Sequence, residues 1–226
     1  MMGLVVCCGM ARSGGTKQYQ LTVAVAKRYN LGIPREFGIH YTPGENAVVK
    51  FEEFKEKYYV PVKQGRARAI GIYRDPRDVV TSLIEWRRRQ GKPYTFESRL
   101  WHRVFDRWQN WEPLCSHVAR YEDCHPFNWA AEVVEIGRVF GVDIGPDEAR
   151  EIAATWNVRR NIERQEAQGA WFNGETMLTQ THISPDRGRS RWRERLTPEQ
   201  AREIEEYLGA EWMDGHGYRL LDSARE

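Results

Sequence analysis

The sequence predicts an α/β fold of three layers, α/β/α, in which helices cover both faces of a mostly parallel central sheet. Short apolar runs of the kind found in buried strands alternate along the chain with longer segments of helical periodicity. Two of these runs end abruptly in a turn that opens a helix, and in an open parallel sheet such turns meet at the carboxyl ends of the strands. No internal repeat or linker is visible, so we expect one domain over residues 1–226.

The composition narrows the classes of function. The 34 basic and 32 acidic residues give a formal net charge of +2, which provides no general basic face for nucleic acid. The apolar run at the N-terminus is too short for the core of a signal peptide, and no later stretch is long enough to span a membrane. The four cysteines lack the spacing of a metal site, so we expect free thiols and a cytosolic protein without zinc. Oligomeric state leaves no signature in the sequence.

The first unit consists of an apolar strand at residues 4–8, a glycine-rich turn at residues 9–17 and a helix over residues 16–29. The turn follows the P-loop spacing G-x-x-x-x-G-K-[ST] with one exception, because Gly15 stands where the lysine is usual. A turn of this kind points backbone N–H groups and the positive end of the helix dipole at one spot. It therefore suits an anionic group on a ligand, held without the usual lysine.

The second unit begins with a short strand at residues 69–73 and turns abruptly at Arg74. We expect Asp75 to cap the following helix, with Pro76 in its first turn. Arg74 and Ser82 are suited to grip a second phosphate together. Both turns can then address one ligand.

The rest of the sequence continues the alternation of predicted strands and helices. Residues 33–45 are punctuated by proline and glycine, and residues 53–68 are polar and mixed. Residues 169–195 show no period and are interpreted as a long functional loop. Thr197 and Gln200 form a capping-box pattern that opens the last helix. The other elements expected are strands at 47–52 and 118–121 and helices at 96–114, 129–140 and 146–168, the first with an aromatic stripe.

Four stretches in the right order resemble the family of sulfotransferases that use 3′-phosphoadenosine 5′-phosphosulfate (PAPS). A-R-S-G-G-T at residues 11–16 resembles the 5′-phosphosulfate loop of that family, and Y-R-D-P-R-D-V-V-T-S at residues 73–82 is similar to its 3′-phosphate motif. Y-E-D at residues 121–123 resembles a signature near the adenosine. The ending, an arginine- and glycine-rich loop before Trp192 and then L-T-P-E-Q at residues 196–200, is also similar. The resemblance implies a P-loop NTPase-like fold.

The resemblance further implies in-line transfer of a sulfuryl group from PAPS to a hydroxyl or amine of an acceptor, with adenosine 3′,5′-bisphosphate (PAP) as product and no metal. Arg12 matches the cationic position of the loop and is expected to stabilise the leaving oxygens. Lys50 matches the lysine of the family's Lys-x-His pattern. Glu52 stands where that histidine is usual, and we interpret it as the general base, with His40 and His182 as alternatives.

The resemblance also implies a set of donor-binding residues. Lys17 replaces the aromatic residue that often stacks on adenine in the family, so we expect the stacking to pass to Trp156. One or more of the late arginines Arg187, Arg189 and Arg191 is expected to reach the 3′-phosphate. The predicted donor-binding set is Arg12, Ser13, Gly14, Gly15, Thr16, Lys17, Arg74, Ser82, Tyr121, Trp156, Arg187, Gly188 and Arg189.

Two other functions stay open on the sequence. A P-loop nucleotide or small-molecule kinase is disfavoured by Gly15 and by the absence of an obvious catalytic aspartate and magnesium set. A non-catalytic nucleotide-binding protein of the same fold gains weight from Glu52. Small-molecule and carbohydrate acceptors both remain open. Four aromatic residues are compatible with an apolar or ring-bearing acceptor and equally with core packing: Trp101, Trp108, Trp171 and Phe172.

Overall fold

The structure, a computed structural model, describes residues 3–31, 33–35, 46–92, 95–125, 128–167, 172–174, 177–179 and 190–221. Within these residues one parallel sheet is formed by β1 (Leu4–Cys7), β2 (Ile33–Arg35), β3 (Ala47–Lys50), β4 (Ala67–Tyr73) and β5 (His117–Arg120). The strand order is β2-β3-β1-β4-β5, and every neighbouring pair is parallel. Because β3 and β4 flank β1, the turn after β1 lies where the strand order reverses, which is where ligands bind in open parallel sheets.

Helices fill most of the rest of the described chain. A short antiparallel pair, β6 (Phe172–Asn173) and β7 (Leu178–Thr179), lies apart from the main sheet. The α-helices are α1 (Gly15–Arg28), α2 (Glu56–Lys63), α3 (Pro76–Arg89), α4 (Trp101–Trp111), α5 (Tyr121–Cys124), α6 (Trp129–Phe140), α7 (Pro146–Thr155), α8 (Val158–Ala167), α9 (Trp192–Arg195), α10 (Pro198–Leu208) and α11 (Ala210–Gly215).

The sheet is covered on both faces because side chains alternate along each strand. Val5 and Cys7 of β1 point to one face, where α1, α6 and α7 pack. Leu4 and Val6 point to the other face, against α2 and Trp111 of α4. A third cluster joins α3, α4 and α10. The predicted three-layer α/β/α architecture with a mostly parallel sheet is confirmed.

The predicted starts of two helices are confirmed in detail. Asp75 caps α3, since its Oδ1 accepts a hydrogen bond from the N–H of Arg77 at 3.0 Å, and Pro76 is the first residue of the helix. Thr197 caps α10, where its hydroxyl accepts from the N–H of Gln200 at 3.3 Å. The side chain of Gln200 accepts from the N–H of Thr197 at 3.0 Å, which completes the capping box.

Several elements differ from the sequence prediction. Residues 96–114 do not form one helix, because the chain turns at Arg99 and α4 begins only at Trp101. Helix α2 lies in the polar segment 53–68, and it buries only Tyr58 and Val62, too few side chains to show a period. Strand β2 lies within the stretch punctuated by proline and glycine, where it pairs with β3. The single helix predicted over residues 146–168 is wrong, because the chain forms two helices, α7 and α8, with a break at Trp156.

The break between α7 and α8 has one local cause and one that comes from α1. The side-chain oxygen of Asn157 accepts from the N–H of Arg160 at 2.9 Å, so Asn157 caps α8. On the other side of the break, the ammonium of Lys17 donates to the carbonyls of Ala153, at 3.3 Å, and Trp156. Both helix ends are therefore satisfied by side chains, one of which comes from α1.

The aromatic stripe of α4 belongs to the core. The ring of Trp108 packs onto β4, where a Cβ added to Gly71 would lie 2.7 Å from the indole. Phe172 is exposed, and Trp171 lies outside the described residues. The buried members of the stripe, each no more than 1% exposed, are Trp101, Phe105, Trp108 and Trp111.

Candidate active site

The glycine turn begins at the end of β1 and continues beside β4, where the N–H of Met10 donates to the carbonyl of Ile72 at 2.9 Å. Gly14 adopts φ 96°, in the left-handed region that favours glycine. A Cβ at Gly14 would also lie 2.8 Å from the ring of Tyr121. The turn therefore needs glycine here for two reasons. It leads into α1, whose first-turn N–H groups have no carbonyl partner within the helix.

Ser13 fixes the turn to the sheet. Its side chain is fully buried, and its hydroxyl donates toward the carbonyls of Ile72, at 2.7 Å, and Met10. Its N–H also donates to the carbonyl of Met10 at 3.1 Å. An anion at the turn would consequently meet the backbone of the residues that follow, Gly15, Thr16 and Lys17.

Arg12 connects the turn with α3. Its Nε donates to the hydroxyl of Ser82 at 3.3 Å, and its guanidinium lies 5.4 Å from the ring centroid of Trp86. Burial, followed by the like charge of Arg89, lowers the pKa of Arg12 to about 10. The charge of Glu52 acts on Arg12 in the opposite direction. The structure thus brings Arg12 and Ser82 together and places Glu52 within electrostatic reach.

Arg74 lies on the same side of the sheet, just before α3. Its Nη2 donates to Oδ2 of Asp78 at 3.2 Å, and its guanidinium lies 4.7 Å from the ring centroid of Tyr121. Tyr121 packs against Gly14 as well, so one ring contacts both the turn and Arg74. The two predicted phosphate grips are therefore neighbours, joined by this ring and by the hydrogen bond from Arg12 to Ser82.

Lys50 is the last residue of β3, the strand next to β1, and Glu52 follows two residues later. Lys50 Nζ donates to Glu52 Oε1 at 2.6 Å. A Cβ at Gly15 would lie 3.8 Å from Cε of Lys50, so Lys50 reaches the position at which a P-loop carries its lysine. Glu52 also lines a small cavity; the other lining residues are Cys8, Gly9, Met10, Ala11, Val104, Arg107 and Trp108.

Lys17 and Trp156 contact each other at the end of α7. Burial, followed by the charge of Arg164, lowers the pKa of Lys17 to about 7. The ring of Trp156 lies under the guanidinium of Arg164, 4.1 Å from it, which covers one face of the indole. Lys17 is thus committed to closing α7, a role that the sequence did not indicate.

Several site residues were not identified from the sequence. Glu122 accepts from the N–H of Asp75 at 2.9 Å and from the hydroxyl of Tyr218 at 3.0 Å, so it braces the turn that carries Arg74. Arg77 is buried and donates to Asp75 and, at 2.6 Å, to Glu205. The sequence offered one indication of Arg77, because the run of charged residues R-D-P-R-D at 74–78 is unusual for a buried turn.

Some predicted residues lie outside the described part of the chain: Arg187, Gly188, Arg189, His40 and His182. Among the residues that are described, no group of three or more His, Cys, Asp or Glu side chains is placed to hold a metal ion. All four cysteines are free thiols. In the same described segments, no helix is both long enough and apolar enough to cross a bilayer.

Comparison with known proteins identifies the family. A family model described as Sulfotransferase domain matches residues 56–217. That match, well over half of the chain, includes Arg74, Ser82 and Tyr121, whereas the glycine turn and Glu52 precede it. A sequence search of curated proteins gave no match.

Solved structures extend the likeness to the start of the chain. Mouse sulfotransferase SULT7A1 complexed with PAP is similar with a TM-score of 0.63 at 16% identity, over 99% of this chain and 86% of that one. Retinol dehydratase in complex with androsterone and the inactive cofactor PAP gives 0.61 at 14% identity, over 97% and 83% of the two chains. The same protein with retinol and PAP gives 0.61 at 14%, over 96% and 82%.

At such low identity the structural likeness establishes the fold, which is the P-loop NTPase-like fold of sulfotransferases. The family match is independent of that likeness and rests on the sequence of residues 56–217. The chain therefore belongs to the sulfotransferase family, and its activity is the PAPS-dependent transfer of a sulfuryl group.

Proposed function

We propose that this enzyme holds PAPS between the glycine turn and the start of α3, with Glu52 taking the proton of an acceptor hydroxyl or amine. The observation that carries the proposal is the pair of Lys50 and Glu52 beside Gly15, the first residue of α1, with Arg12 in the turn just before it. Lys50 lies against Gly15 and pairs with Glu52, and the charge of Glu52 acts on Arg12.

The residues present fit a donor with two separate anionic groups. At the turn, Lys50 lies next to Gly15 at the start of α1, and Arg12 adds a second positive charge. At α3, Arg74 and Ser82 offer a cation and a hydroxyl for the second group. These residues thus supply positive charge and N–H groups to both anionic groups of PAPS, as its phosphosulfate and its 3′-phosphate require.

Bound PAPS supplies an activated sulfuryl group attached to a phosphate leaving group. Arg12 and Lys50 bring positive charge to the turn, so they stabilise the negative charge that grows on the leaving oxygens. The amides of the first turn of α1 hold the group in line with the acceptor. Positioning and charge stabilisation are therefore the main tasks of this half of the site.

Glu52 is the proposed base because of where it lies. A carboxylate has two oxygens, so Glu52 can hold Lys50 with one and accept the acceptor's proton with the other. It lines the cavity beside Gly9 and Ala11, on the side of the turn that faces α4. The cavity has a volume of about 10 Å³, which is room for the reacting oxygen or nitrogen of an acceptor next to both Glu52 and the turn.

We propose a small-molecule acceptor. The cavity is lined by apolar side chains from Met10, Val104 and Trp108, with Arg107 as a polar contact. Androsterone and retinol are bound by retinol dehydratase, which has the same fold. A cytosolic location, expected from the sequence, is part of the same proposal.

The experiment compares Glu52→Gln with the native enzyme. We expect transfer of labelled sulfate from PAPS to an acceptor panel to fall by about a hundredfold or more, the usual contribution of a general base. The affinity for PAP, measured by calorimetry, should stay within about twofold because Gln keeps a hydrogen bond to Lys50. Glu53→Gln is the matched control, since Glu53 is the adjacent carboxylate and pairs with Lys55 at 2.8 Å.

Full transfer by Glu52→Gln would remove Glu52 from the role of base. Native protein that binds PAP but transfers sulfate to no acceptor would favour the non-catalytic binder. Magnesium-dependent ATP turnover without protection by PAP would favour the kinase.

A further inference from the structure

Asp78 lies in the first turn of α3 and joins two separate parts of the site. Its side chain is only 3% exposed. Oδ2 accepts from Arg74 Nη2 at 3.2 Å and from the N–H of Ser190 at 2.9 Å. Oδ1 accepts from the N–H of Trp192 at 3.1 Å. One carboxylate therefore holds both the guanidinium of the 3′-phosphate motif and the chain that returns from the late loop.

A second carboxylate on α3 holds the same returning segment. Glu85 pairs with Arg191 and lies 3.7 Å from Arg195. Asp78, Ser82 and Glu85 are spaced by four and three residues, so they lie along one face of the helix. On this face, Ser82, whose hydroxyl contacts Arg12, therefore lies between the two carboxylates that contact residues 190–195.

We propose that Asp78 is a positioning residue for recognition of the donor's 3′-phosphate. It orients the guanidinium of Arg74 and docks residues 190–192 against α3, so that the 3′-phosphate site is assembled before the donor arrives. The inference rests on the proposed function, because it takes Arg74 as a ligand of that phosphate. Asp78 itself would not touch the donor.

The direction in which the affinity for the 3′-phosphate changes, when Asp78 is replaced, distinguishes a positioning role from electrostatic repulsion. A buried carboxylate near a phosphate repels it, so removing the charge should raise the affinity for any phosphate ligand if Coulomb energy alone mattered. Replacement by Asn also removes the ion pair with Arg74, and it leaves one acceptor oxygen where the N–H groups of Ser190 and Trp192 had two. If positioning dominates, affinity for the 3′-phosphate falls instead.

The test uses two ligands that differ only in that phosphate, PAP and adenosine 5′-monophosphate (AMP), with calorimetry on Asp78→Asn. We expect the affinity for PAP to fall by about tenfold or more, as for loss of a charge-assisted hydrogen bond, and that for AMP to stay within about twofold. The preference for PAP over AMP therefore shrinks by about the same factor. Glu194→Gln, an exposed carboxylate on the docked helix α9, is the control and should leave both affinities unchanged.

Equal losses for PAP and AMP would mean a merely structural role, and unchanged or higher PAP affinity would also overturn the inference. If Asp78→Asn is too unstable to titrate, Asp78→Glu replaces it. The same selective loss is expected there, because a carboxylate one carbon further out cannot meet all three donors. A native protein that binds neither ligand would overturn the proposed function itself, which is a distinguishable result.

Discussion

An alanine at Gly14 would differ by a single methyl group, and the turn has no room for that group. The methyl would lie 2.8 Å from the ring of Tyr121, which packs under the guanidinium of Arg74. The backbone at this position has φ 96°, which costs an L-residue further energy. One glycine therefore sets the distance between the turn and the Y-E-D motif.

We predict that Gly14→Ala lowers both stability and donor binding. The positive φ alone costs about 1 kcal/mol, and the contact with Tyr121 adds to it by displacing the ring. PAP affinity should fall at least about tenfold, measured by calorimetry alongside urea unfolding. Gly141→Ala is the matched control, because Gly141 has φ 75° after α6 and no atom within 4 Å of an added Cβ. It should lose stability only; equal effects of the two variants on PAP affinity would contradict the assignment.

At the scale of elements, strands and helix starts were predictable because their signals are local. Asp75 and the Thr197 capping box use hydrogen bonds within three residues, which the sequence shows directly. The break at Trp156 was not predictable, since one of its two contributions comes from Lys17, far away in α1. Helix α2 was missed because its stability comes from packing two side chains against the sheet rather than from a period.

We predict that Asn157→Ala weakens α8 by removing its cap. The expected loss is about 1 kcal/mol of unfolding free energy, the usual cost of replacing an asparagine N-cap by alanine. Urea unfolding followed by circular dichroism measures it. Asn110→Ala is the control, because Asn110 is exposed within α4 and caps no helix, so its replacement should be neutral or slightly stabilising. An unchanged stability for Asn157→Ala would show that tertiary packing alone maintains the break.

At the scale of the whole molecule, two His–Glu pairs join distant elements. His117 on β5 contacts Glu132 of α6 at 2.8 Å, and His216 after α11 contacts Glu112 at 2.5 Å. Burial by itself lowers the pKa of both histidines, but the hydrogen bonds and charges of the glutamates outweigh it, and each pKa is raised. Protonated histidine is therefore favoured in the folded state.

The sign of the pH dependence follows from these raised pKa values. The stabilisation is complete below the ordinary histidine pKa of about 6.5 and is lost as pH rises through the folded value. We predict that His117→Gln lowers the free energy of unfolding more at about pH 6 than at about pH 8. His102→Gln is the control, since His102 stacks on Tyr207 and pairs with no carboxylate among the described contacts. An equal loss at both pH values would contradict the prediction.

The candidate site was predictable to the extent that its residues follow strands directly. Lys50 ends β3, Glu52 and Arg74 follow strands closely, and Arg12 lies in the turn after β1, so the topology brings them to one edge. Glu122 acts on Asp75 from 47 residues away, and Asp78 holds Ser190 and Trp192 from more than 110 residues away. No spacing rule reveals such contacts, although the pair of Asp78 with Arg74 has the i,i+4 spacing. Ser13 matches the motif by identity, yet its hydroxyl is directed to the sheet.

One contact of the core also bears on the proposed acceptor site. Trp108 lines the cavity beside Glu52 and is seated on Gly71, where no side chain larger than hydrogen fits under the indole. Any side chain at position 71 would displace the indole from this seat and change the lining of the cavity. One wall of the proposed acceptor site is therefore fixed by the bare backbone of β4, at a position that would not touch the acceptor itself.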